Sequence, residues 1–531
     1  MKTNITAKGF LLLFAFVLIS SQLIAQGSVK WVQGNKGKTD YKLWALVADE
    51  EGFVAGVTVG AFMKPVNEAR VLKYNKEMQF LGESKVQGAV PQTLEMGGFG
   101  KMLWIKDLAS AKPGAKDGNT MTFYDKEGQI IKQHVLDNSY KYQIVTGNIM
   151  SAVMNNDYSN IKVEVPVFKS TDQDYLLLWG YRDEQGSKKA DKDHSIIVYV
   201  FGEDGEIAMS ETFIVENVFG EDAIINSLQP DITPNGSLLL FSRYMHKAGK
   251  ARFSMAHFKE AGQKPTVYKY ELPYESPAYE WSYGEDNDVY IAGTSSIGNL
   301  IPSFTKNNNR LLFFMMQDLN QESPAKATTY ELNPAFYNQY PEFLQGKYLI
   351  LNLTWPSLLA TCSDGVLYVS ENSEKVTVTY SSDYGSAKKT SYKAYSFSVI
   401  KFDFSGKIQW LKMITKKVSV KEGYEDMLDW SWSQEGDVVT IHYSDHPLNV
   451  TRPKGKLVLA GSHTVLGTAI ANIHASGDIK IRVVNDPTKS KIFGLPSMTE
   501  YMGDEEFVMA GLKYKMMSLP EFYYGTSKLS E

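Results

Sequence analysis

A single cysteine, Cys362, stands in the whole sequence. No disulfide can therefore form within the chain, and a large apolar core has to stabilise it. An excess of charge is also lacking. Lysine and arginine number 55 against 60 aspartates and glutamates, and the first 25 residues contribute two lysines and no acid, leaving 53 against 60, or −7, beyond them. A mildly acidic surface argues against nucleic acid and anionic lipid as main partners. Long apolar runs are absent past the N-terminus: even 343–360 is interrupted by Gln345, Lys347, Asn352 and Pro356, so no span is expected there.

The N-terminus itself has three zones: a basic start with Lys2 and Lys8, an apolar run from Phe10 to Ile19, and a short stretch ending at Ala25. This order is that of a secretory signal peptide over 1–25, cleaved after Ala25 to leave Gln26 first. The apolar run is short for a bilayer, Ser20, Ser21 and Gln22 follow it, and no cysteine near the junction could carry a lipid. A large exported chain without disulfides fits the envelope of a Gram-negative bacterium, either periplasmic or secreted. The sequons at Asn235, Asn352 and Asn449 are of a kind that arises by chance.

Beyond the signal, two kinds of segment alternate. The first is a tight turn followed by a strongly apolar strand, as at Asn235-Gly236 before Leu238 to Phe241, Asp364-Gly365 before Val366 to Val369, and Glu435-Gly436 before Val438 to Ile441. The second is a hairpin whose turn carries Asp and Gly three apart, as in Asp125 to Gly128 and Asp403 to Gly406. Aspartate caps such a turn through its carboxylate, and glycine accepts the positive φ where the ladder resumes. Turns of the first kind near 51, 99, 172, 235, 286, 364 and 435 interleave with hairpins near 76, 127, 204, 262, 318, 405 and 476. The mean period is about 64 residues, enough for a four-stranded blade of about 40 to 45 residues with loops, and too crowded with strands for long helices. The stretch 183–194 reads as a solvated loop within one blade, and 380–395 as a similar polar excursion. Residues 507–514 read as a last strand that pairs with an N-terminal one to close a ring.

The segment Asp231-Ile-Thr-Pro-Asn235-Gly236 resembles the blade turns of Tol-type periplasmic propellers, and the hairpin at 399–410 resembles blades of propellers exported by Bacteroidota. The resemblance implies an all-β fold: one β-propeller domain over 26–531 with about seven four-stranded blades, six or eight being the alternatives. Two stacked sandwiches would share many of the same hairpins. Repeated Gly-His and Trp-Asp pairs are absent. A superfold of this kind hosts hydrolases, lyases and pure binding platforms, so it implies no activity.

Chemical motifs are few. The run Gly34-Asn-Lys-Gly37-Lys38-Thr39 has two residues between its glycines where a phosphate loop needs four. No Gly-x-Ser-x-Gly elbow exists, and Ser386 to Lys388-Lys389 matches Ser-x-x-Lys by letters alone. His442 and His446 flank Asp445, but residues four apart on a strand stand about 13 Å from each other, too far to share a metal ion. No metal and no cofactor are therefore expected. Glu280, Asp231, Glu425 and Asp429 are nameable acids for glycan cleavage, though nothing selects them from the 60. Trp430 and Trp432, two apart beside Asp429, would project from one face of a strand; they form either a stacking platform for a sugar or, more ordinarily, packing between blades. Cys362 precedes an apolar strand and reads as a small buried hydrophobe. The expectation is an exported binding or scaffold protein whose partner is an envelope protein or glycan. The alternative is a glycan-active propeller enzyme using carboxylates at one mouth of the ring.

Overall fold

The structure, a computed structural model, describes residues 29–34, 41–59, 68–87, 94–107, 119–142, 144–146, 162–164, 167–170, 174–183, 194–220, 228–245, 251–272, 278–284, 287–296, 310–340, 357–382, 385–421, 428, 430–451, 457–462, 464–503, 506–513 and 521–528. The expected signal peptide lies outside them. Eight four-stranded antiparallel sheets follow one another along the chain. They are the blades of a β-propeller, one more than the seven read from the turns.

Blade 1 is built from Tyr41–Asp49, Gly52–Val59, Glu68–Asn75 and Phe80–Lys85, and blade 2 from Leu94–Phe99, Met102–Asp107, Thr120–Tyr124 and Ile130–Val135. Blade 3 holds Val167–Lys169, Leu176–Asp183, His194–Phe201 and Ile207–Ile214; blade 4 holds Leu228–Ile232, Leu238–Met245, Ala251–Phe258 and Thr266–Tyr270. Blade 5 comprises Ala278–Tyr283, Asp288–Ser296, Arg310–Asp318 and Thr328–Glu331, and blade 6 comprises Ser357–Cys362, Gly365–Ser382, Gly385–Phe402 and Ile408–Lys421. Blade 7 is Ser431–Glu435, Val438–Asp445, Gly467–His474 and Ile479–Asn485. Blade 8 takes Phe493–Gly503, Glu506–Lys513 and Glu521–Lys528 from the C-terminus and Lys30–Gln33 from the N-terminus. Among the described residues the helices are single short turns of four to six residues, and none is long and apolar enough to cross a membrane.

Every turn read from the sequence joins either the first and second strands or the third and fourth strands of blades 1 to 7. The local chemistry is as expected. Asp125 Oδ1 accepts from the backbone N–H of Glu127 and Gln129, and Asp403 Oδ1 from those of Ser405 and Lys407. Gly128 and Gly406 follow at φ 76° and 83°. The eighth blade escaped because its fourth strand is borrowed from the far end of the sequence, and because no Asn-Gly or Asp-Gly pair stands between its first two strands, Phe493–Gly503 and Glu506–Lys513. The closing strand is also corrected: Glu506–Lys513 lies inside blade 8, and Glu521–Lys528 is the strand that pairs with Lys30–Gln33. Residues 380–395 are largely strand, not loop.

Two compact units divide the chain. One takes in 40–374 and 396–414, which covers blades 1 to 5 and most of blade 6; the other takes in 375–395, 415–531 and the N-terminal strand, with blades 7 and 8. Within the first unit, apolar clusters form from facing sheets of consecutive blades. Met96, Leu103 and Ile105 of blade 2 meet Ala45, Val47 and Val54 of blade 1, and Phe123 and Trp104 meet Leu178, Tyr199 and Phe201 of blade 3. Leu177, Trp179 and Val198 on the opposite face of blade 3 meet Leu238, Leu240 and Phe258 of blade 4. Phe241, Phe253 and Met255 then meet Tyr279, Ile291 and Phe313 of blade 5, and Tyr290, Leu312 and Phe314 meet Tyr368, Ile400 and Phe402 of blade 6. In the second unit Ile470 and Val484 of blade 7 meet Phe507 and Met509 of blade 8, with Trp31 packed against them.

Gly365 sits at φ 146°, and a Cβ there would lie 2.1 Å from the Phe402 carbonyl oxygen; Gly365→Ala should cost about 2 kcal/mol or more in denaturant unfolding, whereas an unchanged midpoint contradicts the assignment. Deleting residues 26–34 removes the outer strand of blade 8 and the Trp31 Nε1 hydrogen bond to Asn485 Oδ1 (3.2 Å). Calorimetry should show a melting temperature several degrees lower, and a deletion variant as stable as the parent would refute the pairing.

Candidate functional site

The first strands of blades 4 and 5 carry two of the four nameable acids, in different seams. Asp231, on Leu228–Ile232, is buried. Its carboxylate accepts hydrogen bonds from the Tyr283 hydroxyl (2.7 Å), the Ile232 N–H (2.9 Å) and the Trp281 indole N–H. Both aromatic donors stand on the first strand of blade 5, and Trp281 stacks on Phe241 with centroids 4.0 Å apart. Alternation along that strand turns Tyr279, Trp281 and Tyr283 toward blade 4 and Glu280 and Ser282 toward blade 6.

Glu280 occupies a different setting. Its Oε1 accepts from the Ser357 hydroxyl at 2.8 Å, and desolvation in the seam pushes its carboxyl up to about 7, only partly offset by the Ser357 hydrogen bonds. The neighbouring Tyr368 phenol is raised to about 12 by burial and by Glu280. Ser370, Asn372, Ser396 and Ser398 continue this polar layer, all buried, with the Asn372 amide donating to Ser396 Oγ and Ser398 Oγ at 2.8 Å each. A carboxyl titrating near neutrality can carry a proton to or from a bound group. Asp231, by contrast, is fully engaged in joining blades 4 and 5.

Trp430 is buried, and Trp432 lies on the first strand of blade 7 opposite Ile441, partly exposed. Asp429 and Glu425 lie outside the described residues. His442 is buried, its ring 4.8 Å from that of Phe507, and burial with the nearby Arg482 charge depresses it to about 3. His446 lies past the strand end and accepts from the Leu448 N–H at 3.2 Å. Asp445 Oδ1 accepts from the N–H groups of Lys417 and His446 and from the Asn449 amide. All three residues thus serve structural contacts, and no metal-binding cluster of His, Cys, Asp and Glu occurs among the described residues. Asn449 is buried, its amide donating to Asp445 and the Val458 carbonyl. Cys362 is buried, as expected. A pocket of about 310 Å³ at the turns of blades 5 and 6 is lined by Met316, Phe404, Asp318 and Lys326. The Gln317 side chain in its wall is spent on the Ala325 N–H and the Ser323 carbonyl.

Sequence reasoning named Glu280 only as one acid among many, and it did not find Ser357 or Tyr368. The missing signal is tertiary: these residues meet across a seam between strands 77 and 88 positions apart.

Buried histidines supply a prediction. His257 is lowered to about 4 by burial, and His442 to about 3, so the unfolded chain binds protons that the native one excludes. Stability is complete above about pH 6.5 and is lost as pH falls toward these lower values, by about 2 kcal/mol per histidine between pH 7 and 5. Glu280 acts in the opposite sense, since its raised carboxyl favours the native state at acid pH and loses that advantage as pH rises through about 7. Urea unfolding of His442→Gln should therefore show a shallower loss between pH 7 and 5 than the parent; equal losses would contradict the burial of an uncharged ring.

No protein-family model matches the sequence, and neither does any curated protein. Among solved structures the chain is similar to polysaccharide lyase Uly1, with 8% identity over 87% of this chain and 93% of that one and a TM-score of 0.38. It is also similar to the WD40 domain of SCAP from fission yeast, with 10% identity over 94% of each chain and a TM-score of 0.37. For the endo-1,4-beta-xylanase of Bacteroides thetaiotaomicron the identity is 11%, over 61% of this chain and 96% of that one, with a TM-score of 0.24.

Proposed function

We propose that the chain is an exported binding or scaffold protein of the bacterial envelope, receiving a protein or glycan at one end of its blades. The observation behind this reading is where the chain spends its length. Connections between the first and second strands, and between the third and fourth, never exceed nine residues. At the opposite end the connections include stretches of 12, 13, 21, 25 and 31 residues. Rigid sheets carrying variable segments at one end are how folds of this kind present binding surfaces.

A second reading, a glycan-active enzyme, is favoured by one observation: the Glu280 carboxyl, held near neutrality on the first strand of blade 5, has the property a general acid needs. The purified chain from Gln26 onward, incubated with neutral and anionic polysaccharides, separates the two. Binding predicts retention without release of new chain ends, equal in the parent and in Glu280→Gln. Release of new ends that Glu280→Gln lowers at least a hundredfold, with its melting temperature kept, would replace the binding reading by the enzymatic one.

A further inference from the structure

The connections from third to fourth strand are short and alike, with two exceptions that meet. In blades 1 to 4, 6 and 7 they take four to seven residues, whereas in blade 5 residues 319–327 take nine. Blades 1 to 4 carry a charged side chain, Lys76, Lys126, Glu203 and Glu260, two positions before the positive-φ residue of this turn. Blade 6 carries Phe404 there, with 37% of its surface exposed. The long loop of blade 5 and the aromatic turn of blade 6 border one pocket of about 310 Å³.

Both walls are fixed in place. The buried Gln317 amide donates to the Asp318 and Ser323 carbonyls at 2.9 and 3.2 Å and accepts from the Ala325 N–H at 2.8 Å. From blade 4 the Tyr268 hydroxyl donates to the Gln321 carbonyl at 2.9 Å, so the loop is held in one shape. Across the seam the Tyr330 hydroxyl donates to the Gly406 carbonyl at 2.8 Å, and Phe404 stacks on Tyr290 with ring centroids 5.3 Å apart. Tyr290 stands opposite Met316 in the ladder. Met316, 41% exposed, and the Phe404 ring therefore belong to one apolar wall. Asp318, Gln321 and Lys326 supply the polar side of the lining. Asp318 Oδ2 accepts from the Gln321 amide at 3.0 Å and its Oδ1 from the Asn320 N–H at 2.8 Å, which orients the carboxylate and the amide together.

The geometry points to this pocket as a binding site for one hexose unit of a neutral glycan. A pyranose has C–H faces that pack on an aromatic ring and a thioether. Its edge of hydroxyls accepts hydrogen bonds from an ammonium or an amide and donates them to a carboxylate. Asp318 and Lys326 offset one another in charge, so the lining favours neither an anion nor a cation. An apolar peptide side chain would use the Phe404 wall and leave the carboxylate and the ammonium without partners on the ligand. The volume stands at the small end of the range for ligand sites, about 300 to 1,000 Å³, which suits a single sugar unit. The pocket lies at the end of blades 5 and 6 that carries the short connections, so it is additional to the surface at the long connections and does not depend on it.

Saturation-transfer NMR and calorimetry on the chain from Gln26 onward test this, with the methyl glycosides of glucose, galactose, mannose and N-acetylglucosamine as probes and N-acetylphenylalanine amide as an apolar competitor. At least one glycoside should bind, with saturation strongest on its ring C–H protons. Phe404→Ser and Lys326→Ala, both at exposed positions, should each weaken that glycoside about tenfold or more with the melting temperature kept. Phe404→Tyr should bind like the parent. Parental affinity in Phe404→Ser overturns the inference, and if that variant loses melting temperature, parental affinity in Lys326→Ala does so instead. Failure of all four glycosides to bind also overturns it, as does binding of the phenylalanine amide in preference to every glycoside. None of these outcomes touches retention of a polysaccharide at the long connections, so the binding reading stands or falls separately.

Discussion

Everything in this fold depends on one constraint: a four-stranded sheet with apolar residues on both faces has to bury each face against another sheet. The second strand of a blade illustrates the demand. Leu238 and Leu240 pack toward blade 3 while Leu239 and Phe241 pack toward blade 5, so the uninterrupted apolar run is two cores threaded on one strand. Buried apolar surface is worth about 25 cal/mol per Å², and with one cysteine in the chain no covalent bond within it shares the load. A blade without neighbours would leave both faces wet, and stability therefore resides in the seams.

The same constraint sets where chemistry can occur. Most of each seam is aliphatic and aromatic, and polar groups there need partners. In the seam of blades 4 and 5, Asp231 has three donors and acts as a tie between strands. In the seam of blades 5 and 6, Glu280 has the Ser357 hydroxyl as its partner and is pushed up by desolvation, while its charge in turn helps to raise the neighbouring Tyr368 phenol. Two carboxylates on the first strands of adjacent blades thus have different characters, set by what the facing sheet offers each.

Seven blades were legible in the sequence because the turns announce themselves chemically. The Asp and Gly three apart in 125–128 and 403–406 do in the structure what their side chains and φ values dictate. The eighth blade was not legible, since pairing of Lys30–Gln33 with Glu521–Lys528 joins segments almost five hundred residues apart with no local mark. The long hairpin of blade 6 was misread as a loop because Ser, Thr, Tyr and Lys dominate the sequence of 380–395, and apolar periodicity was the signal in use. The candidate site was least legible. Glu280, Ser357 and Tyr368 carry no shared motif, and their meeting is a consequence of blade order.

Native-state hydrogen exchange tests the central claim most directly. If the seams stabilise the fold collectively, the amides of Gly52–Val59, Leu176–Asp183, Leu238–Met245 and Asp288–Ser296 should exchange at one common free energy, equal to that of global unfolding. Separate plateaus for these strands, each blade opening on its own, would contradict the account.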